Sequence, residues 1–306
     1  MKHPMHIPTV RLVILLGTAL AAIDGKGADL PRVLVFGKVQ AGQYVHASIP
    51  DGARAIVALG KANGFAADTS DDAGLFTTAN LARYRAVVFN NTGGEVLDAG
   101  QRSAFQNFIR AGGGYAGFHS ACGTEFTWPW YGDLIGGGRF LKHPAIQKAT
   151  VVVEDARHLS TSMLPARWER VDEWHDYQAN PRPNVHVLLT VDEASYQGGT
   201  MGKDHPIAWC REFEGGRAWF SGLGHGAESF REPLFLAHLL GGIRYAMGAE
   251  VVSLGAPARQ EAPWAAATAA YSVDILGRPR AETIREAGSA AVSKKGGMGY
   301  IIRTLP

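Results

Sequence analysis

The sequence predicts an α/β fold: a three-layer sandwich in which helices cover a mainly parallel sheet. Three observations carry this. Several short apolar runs are hydrophobic without alternation, as in strands buried on both faces. Helical patterns fall between the early runs, as right-handed βαβ crossovers require. Many of the 38 glycines gather at strand ends and follow no repeat.

In chain order, the expected strands are "VLVF" (33–36), "AVVF" (86–89), "YAGF" (115–118), "TVVV" (150–153), "VHVLLT" (185–190), "IAWC" (207–210) and "AWFSGL" (218–223). A first helix opens at "SIPDG", with Ser48 as N-cap and Pro50 in its first turn. It buries Ile56, Leu59 and Ala62 on one side and stops at Gly64. A second begins after Asp98, buries Phe105, Phe108 and Ile109, and ends at Gly112. A third carries Leu236, Leu239, Leu240 and Ile243 at helical spacing.

Composition sets further bounds. The 306 residues are 46% hydrophobic and 19% charged, an ordinary globular balance. Thirty basic against 28 acidic residues leave a net charge of +2, which gives no field to attract nucleic acid. Residues 1–28 read as an export signal: Lys2 and Arg11 precede the apolar run 12–23, and Ala19-Leu20-Ala21 forms a small-x-small cleavage pattern. An uncleaved anchor is the alternative. The expectation is a periplasmic or secreted domain over 29–249, with no stable membrane span after cleavage. Residues 250–306, rich in Ala and Pro and then aperiodic, read as a tail with little structure. Cys122 and Cys210 either pair in an oxidising compartment or serve as small buried apolar residues.

Ligands of open α/β sheets bind beyond the carboxyl ends of the strands. There the sequence places His46, the pair Asn91 and Thr92, His119, "VDEWHDY" with Glu173 and His175, then His205 and His225. Imidazoles with a carboxylate suit a divalent metal such as zinc, and His119, His205 and His225 are the candidate ligands. The other reading is a polar pocket whose groups only exchange hydrogen bonds. Glu173 is the candidate acid/base group. Phe126, Trp128, Trp130 and Tyr131 form either a platform for sugar rings or a satellite core.

The segments "GGGYAGFHSACGTEFTWPWYG", "LIGGGRFLKHPAIQ", "RVDEWHDY", "GGTMGKDHPIAWCREFEGGRAWFSGLGH" and "FLAHLLGGIRYAMG" closely resemble the ThuA-like family, named for trehalose utilisation. The resemblance runs from Arg32 to Gly248. It implies a flavodoxin-like fold similar to class I glutamine amidotransferases. In those enzymes a nucleophilic cysteine follows the strand that here ends at His119, and a later histidine resembles His225. Because imidazole replaces the thiol, and Ala227 stands two residues beyond His225, glutamine hydrolysis is not expected. Val45, Cys122 and Gly226 depart from the usual family pattern. The resemblance further implies a carbohydrate substrate, a disaccharide or a 3-keto glycoside. His119 and His225 would contact the metal or an oxyanion, Glu173 would act as base, and His205 as ligand or proton donor. His46, Asn91, Thr92, Trp128, Trp130 and His175 would bind the substrate.

Overall fold

The computed structural model describes residues 30–249. The proposed export signal and tail lie outside the described residues. In chain order the elements are β1 (Arg32–Phe36), α1 (Ile49–Asn63), β2 (Ala66–Ser70), α2 (Thr78–Leu81), β3 (Ala86–Asn90), α3 (Ala99–Arg110), β4 (Gly114–Phe118), α4 (Pro129–Leu134), β5 (Phe140–Lys142), β6 (Gln147–Val153), β7 (Arg167–Asp172), β8 (Asp176–Tyr177), β9 (His186–Asp192), β10 (Pro206–Phe213), β11 (Gly216–Ser221) and α5 (Pro233–Ala246). Nine strands form one sheet in the order β2-β1-β3-β4-β11-β10-β9-β6-β7. The first five run parallel, and the remaining four continue the sheet as an antiparallel wing. β5 and β8 pair separately.

Alternation across β4 explains the layers. Tyr115 lies with Phe105 of α3, ring centres 6.4 Å apart. Ala116 points the other way, and its register partner Trp219 lies against Gly242 of α5. A helix therefore covers each face of the parallel half. Gly114 lies on the α5 side, and a Cβ there would sit 1.8 Å from the Ala246 carbonyl oxygen. Its place is fixed by that close approach of helix and strand.

The helices begin and end largely where their residues direct. Asp98 and Gln101 form a reciprocal capping box at α3. Gly64 closes α1 in the left-handed conformation. Two expectations for α1 change. Ser48 occupies the N-cap position but makes no side-chain cap bond, because its Oγ donates instead to the His225 carbonyl at 2.7 Å. Ala62 is exposed. β2 escaped the sequence reading because "AADTS" at the sheet edge is not an apolar run. Both cysteines are buried and unpaired, so the disulfide is ruled out in this structure. Among the described residues no helix is long and apolar enough to cross a membrane.

Candidate functional site

Four segments meet beyond the carboxyl ends of the parallel strands. His46 comes from the loop after β1, and His119 stands immediately after β4. His225 follows β11, in a turn that Gly224 enters at φ +108°. Glu173 leaves the end of β7, where the chain abandons the sheet and runs back toward β4. His119 itself has φ +49°, an uncommon backbone state for a residue with a side chain.

His119 is held by its Nδ1–H, which donates to the Gly222 carbonyl at 3.0 Å. In a neutral ring this leaves the Nε2 lone pair facing inward. That Nε2 lies 3.1 Å from His225 Nδ1 and 3.4 Å from Glu173 Oε2. His225 Nδ1 is also 3.4 Å from Glu173 Oε2. Ligands bound at about 2.0–2.2 Å around a tetrahedral ion are separated by roughly 3.3–3.6 Å, close to the edges of this triangle. The His46 ring centre is 4.8 Å from that of His119 and 5.1 Å from that of His225. Donor atoms of His46, His119, Glu173 and His225 all lie within 4.8 Å of one another. His46 Nδ1 is buried and has no hydrogen-bond partner. Lone pairs and a carboxylate packed this closely repel unless a proton or a cation lies among them, so the residues fit a divalent ion.

The surroundings set the charge states. Burial, reinforced by His119 and His225, lowers the His46 pKa to about 3. Burial beside His119 does the same to His175, to about 3. Burial pushes the Glu173 carboxyl upward, but the surrounding imidazoles of His119, His175 and His225 outweigh it and hold the group far below the usual carboxylate range. The hydrogen bond to Glu173 raises the His225 pKa. Burial drives the Cys122 thiol well above its ordinary value, which makes it a poor nucleophile.

Second contacts orient these groups. Asp172 accepts from the backbone N–H groups of Gly224 and His225, at 2.9 and 3.1 Å. It also pairs with the buried Arg170 at 2.9 Å. His175 Nε2 donates to Glu173 Oε2 at 3.1 Å. The other carboxylate oxygen, Oε1, lies 3.2 Å from Nδ1 of His143. That same nitrogen lies 2.9 Å from the Pro144 carbonyl. Facing two acceptors, His143 Nδ1 carries the proton, and Nε2 is the basic atom.

A cavity of about 510 Å³ opens over the cluster and is lined in part by His46, Ser120, His143, Glu173, His175 and His225. Several expected site residues lie elsewhere. His205 is sequestered in a different group: its Nε2 donates to the His175 carbonyl at 2.9 Å, and its Nδ1 lies 2.9 Å from Glu193 Oε1. Both ring nitrogens are engaged there, away from the triangle. Asn91 is fully buried and ties the Gly224 carbonyl to Ser48 and Ser120. Thr92 is sealed against Thr124. Trp128 and Trp130 stack on each other, with Arg102 over the first and Glu214 accepting from the second. Neither tryptophan lines the cavity. Of the expected platform only Phe126 reaches it, joined by Tyr44, Phe140 and Ile146. The sequence reading missed His143, which directly follows a strand of only three residues, Phe140–Lys142.

The family model for trehalose utilisation, ThuA, matches residues 32–246. A ThuA-like protein from Bacteroides uniformis superposes with a TM-score of 0.62 at 25% identity, covering 72% of this chain and 92% of that one. Another, from Parabacteroides merdae, gives a TM-score of 0.58 at 18% identity, covering 74% and 92%. No curated protein matches the chain.

Proposed function

The chain belongs to the ThuA family of trehalose utilisation, and from that premise we propose that it is an exported, metal-assisted enzyme acting on 3-keto glycosides. The supporting observation is the 3.1–3.4 Å triangle of His119, His225 and Glu173 with His46 beside it. His119, His225, Glu173 and His46 would hold the ion. When bound, a divalent cation supplies Lewis-acid stabilisation of negative charge developing on a sugar oxygen.

The residues divide the remaining work. Glu173, held ionised by its imidazole neighbours, is a weak base and a good ligand. The proton-transfer role falls to His143, whose Nε2 is basic while Glu173 Oε1 and the Pro144 carbonyl hold Nδ1–H. A ketone at C3 acidifies the proton at C2. His143 Nε2 removes that proton, and the electron pair enters the C2–C3 enediolate. Collapse of the enediolate breaks the bond from C1 to the departing oxygen. That oxygen takes a proton from His143, and water then adds at C1 to give keto sugar and free alcohol. Asp172 keeps His225 in place throughout.

The test is ion analysis of purified protein together with turnover of a 3-keto glycoside before and after chelation. About one ion per chain, and activity lost on chelation and restored by re-addition, is the expected result. A metal-free protein with undiminished turnover would end this reading. A second reading, a non-catalytic sugar-binding protein, draws on the raised pKa of His225, since a proton there also relieves the crowded acceptors. It expects sugar binding without conversion at any ion concentration.

A further inference from the structure

The cavity has two unlike halves. Its floor is imidazole and carboxylate; its outer wall is apolar. Tyr44, Phe126 and Ile146 line that wall. All three are large apolar or aromatic residues that are 44–70% exposed. Such residues gathered at one mouth mark a ligand or partner surface.

Hydrogen-bonding groups are scarce on the same wall. The Ser120 hydroxyl is turned inward to the Thr92 carbonyl at 3.0 Å. The Gly93 carbonyl accepts from Gln40 N–H and the Gly123 carbonyl from Gly94 N–H. Gln43 contributes the one side-chain amide among the lining residues, and Tyr44 one hydroxyl at the tip of its ring. A second sugar ring would present several hydroxyls to this wall and displace their water with little in return. An apolar ring instead covers Ile146 and stacks on Phe126 and Tyr44.

Building on the proposed glycoside chemistry, we propose that the outer half is an aglycone subsite for a flat apolar group. The preferred substrates are then aryl glycosides rather than disaccharides. The sugar sits over the histidines and the aryl alcohol leaves past Phe126 and Ile146.

Equilibrium binding to the full chain tests this with four probes: 2-naphthyl β-D-glucoside, methyl β-D-glucoside, trehalose and free 2-naphthol. The expected result is at least tenfold tighter binding of the naphthyl glucoside than of methyl glucoside or trehalose. In the double variant Phe126→Ser, Ile146→Ser that preference falls below about threefold, with the affinity for methyl glucoside unchanged. Circular dichroism checks that this surface variant remains folded. Binding of 2-naphthol alone, lost in the double variant, supports the apolar subsite even where no sugar binds and the carbohydrate reading fails. Trehalose binding as tightly as the naphthyl glucoside, a preference that survives the double variant, or no binding of either naphthyl probe overturns the proposal.

Discussion

At the scale of single residues, two buried histidines beside strands have opposite surroundings. His119 directly follows β4, His205 directly precedes β10, and both are fully buried. His119 turns Nε2 toward His225 and Glu173, whereas His205 spends both nitrogens on the His175 carbonyl and on Glu193. His205→Ala should therefore lower stability by about 1–3 kcal/mol, through stranded acceptors, while leaving ion content intact. His119→Ala should abolish ion retention; chemical denaturation and elemental analysis of both variants check the contrast. Asp172 is more sensitive. Its replacement in Asp172→Asn leaves Arg170 buried without its main counter-charge and slackens the His225 turn. A loss of about 3–5 kcal/mol and weakened ion affinity are expected, measured by denaturation and ion titration. The sequence placed His46, His119, Glu173, His175 and His225 at one rim because strand ends are readable. Which nitrogen each ring commits to a backbone carbonyl depends on partners more than a hundred positions away, as Gly222 is from His119, and no local spacing encodes that.

Among the elements, the legible ones were those whose burial or end chemistry is local. β1, β3 and β4 each hold a continuous buried run free of charge, 33–36, 86–89 and 115–118, and α3 carries its cap in Asp98. β2 and β7 were not seen, since an edge strand with a polar or alternating face has no continuous apolar run. The Ser48 hydroxyl was read as a local cap and proved to be a long-range tether to His225. Two substitutions separate the kinds of constraint. Asp98→Ala removes an exposed capping bond and should cost about 1 kcal/mol. Gly114→Ala drives a methyl group into the Ala246 carbonyl and must displace α5, at a cost of roughly 1–3 kcal/mol or more. Thermal unfolding of the two variants should show the glycine change as the larger.

For the molecule as a whole, buried histidines set the response to acid. Burial lowers the pKa of His175 and His238 from 6.5 to about 3; it lowers His46 to about 3 and His158 to about 4. Between about pH 6.5 and 4 the unfolded chain binds protons at these positions that the folded chain refuses, so stability falls as pH falls. His175 and His238 together account for up to about 3 kcal/mol per pH unit in that window. Glu173 adds stability that is present above the ordinary carboxylate pKa and lost in stronger acid. His225, with its raised pKa, works the other way: its share is full below 6.5 and disappears as pH rises through the raised value. Metal-free protein should show a steep drop in unfolding midpoint from pH 6.5 to 4, measured by calorimetry across buffers.

The carboxylate of the triangle hangs from β7, the outermost strand, while His119 hangs from β4, five strand-to-strand steps away. At about 20–25° of twist per step, those strands are rotated by roughly 100–125° relative to each other. The gap between Glu173 and His119 thus answers both to the twist of the antiparallel wing and to the Asp172 bonds that clamp the end of β7 across to the turn at Gly224 and His225. Without that clamp, a small unwinding distributed over five steps, imperceptible at any one of them, would spread the donor atoms apart.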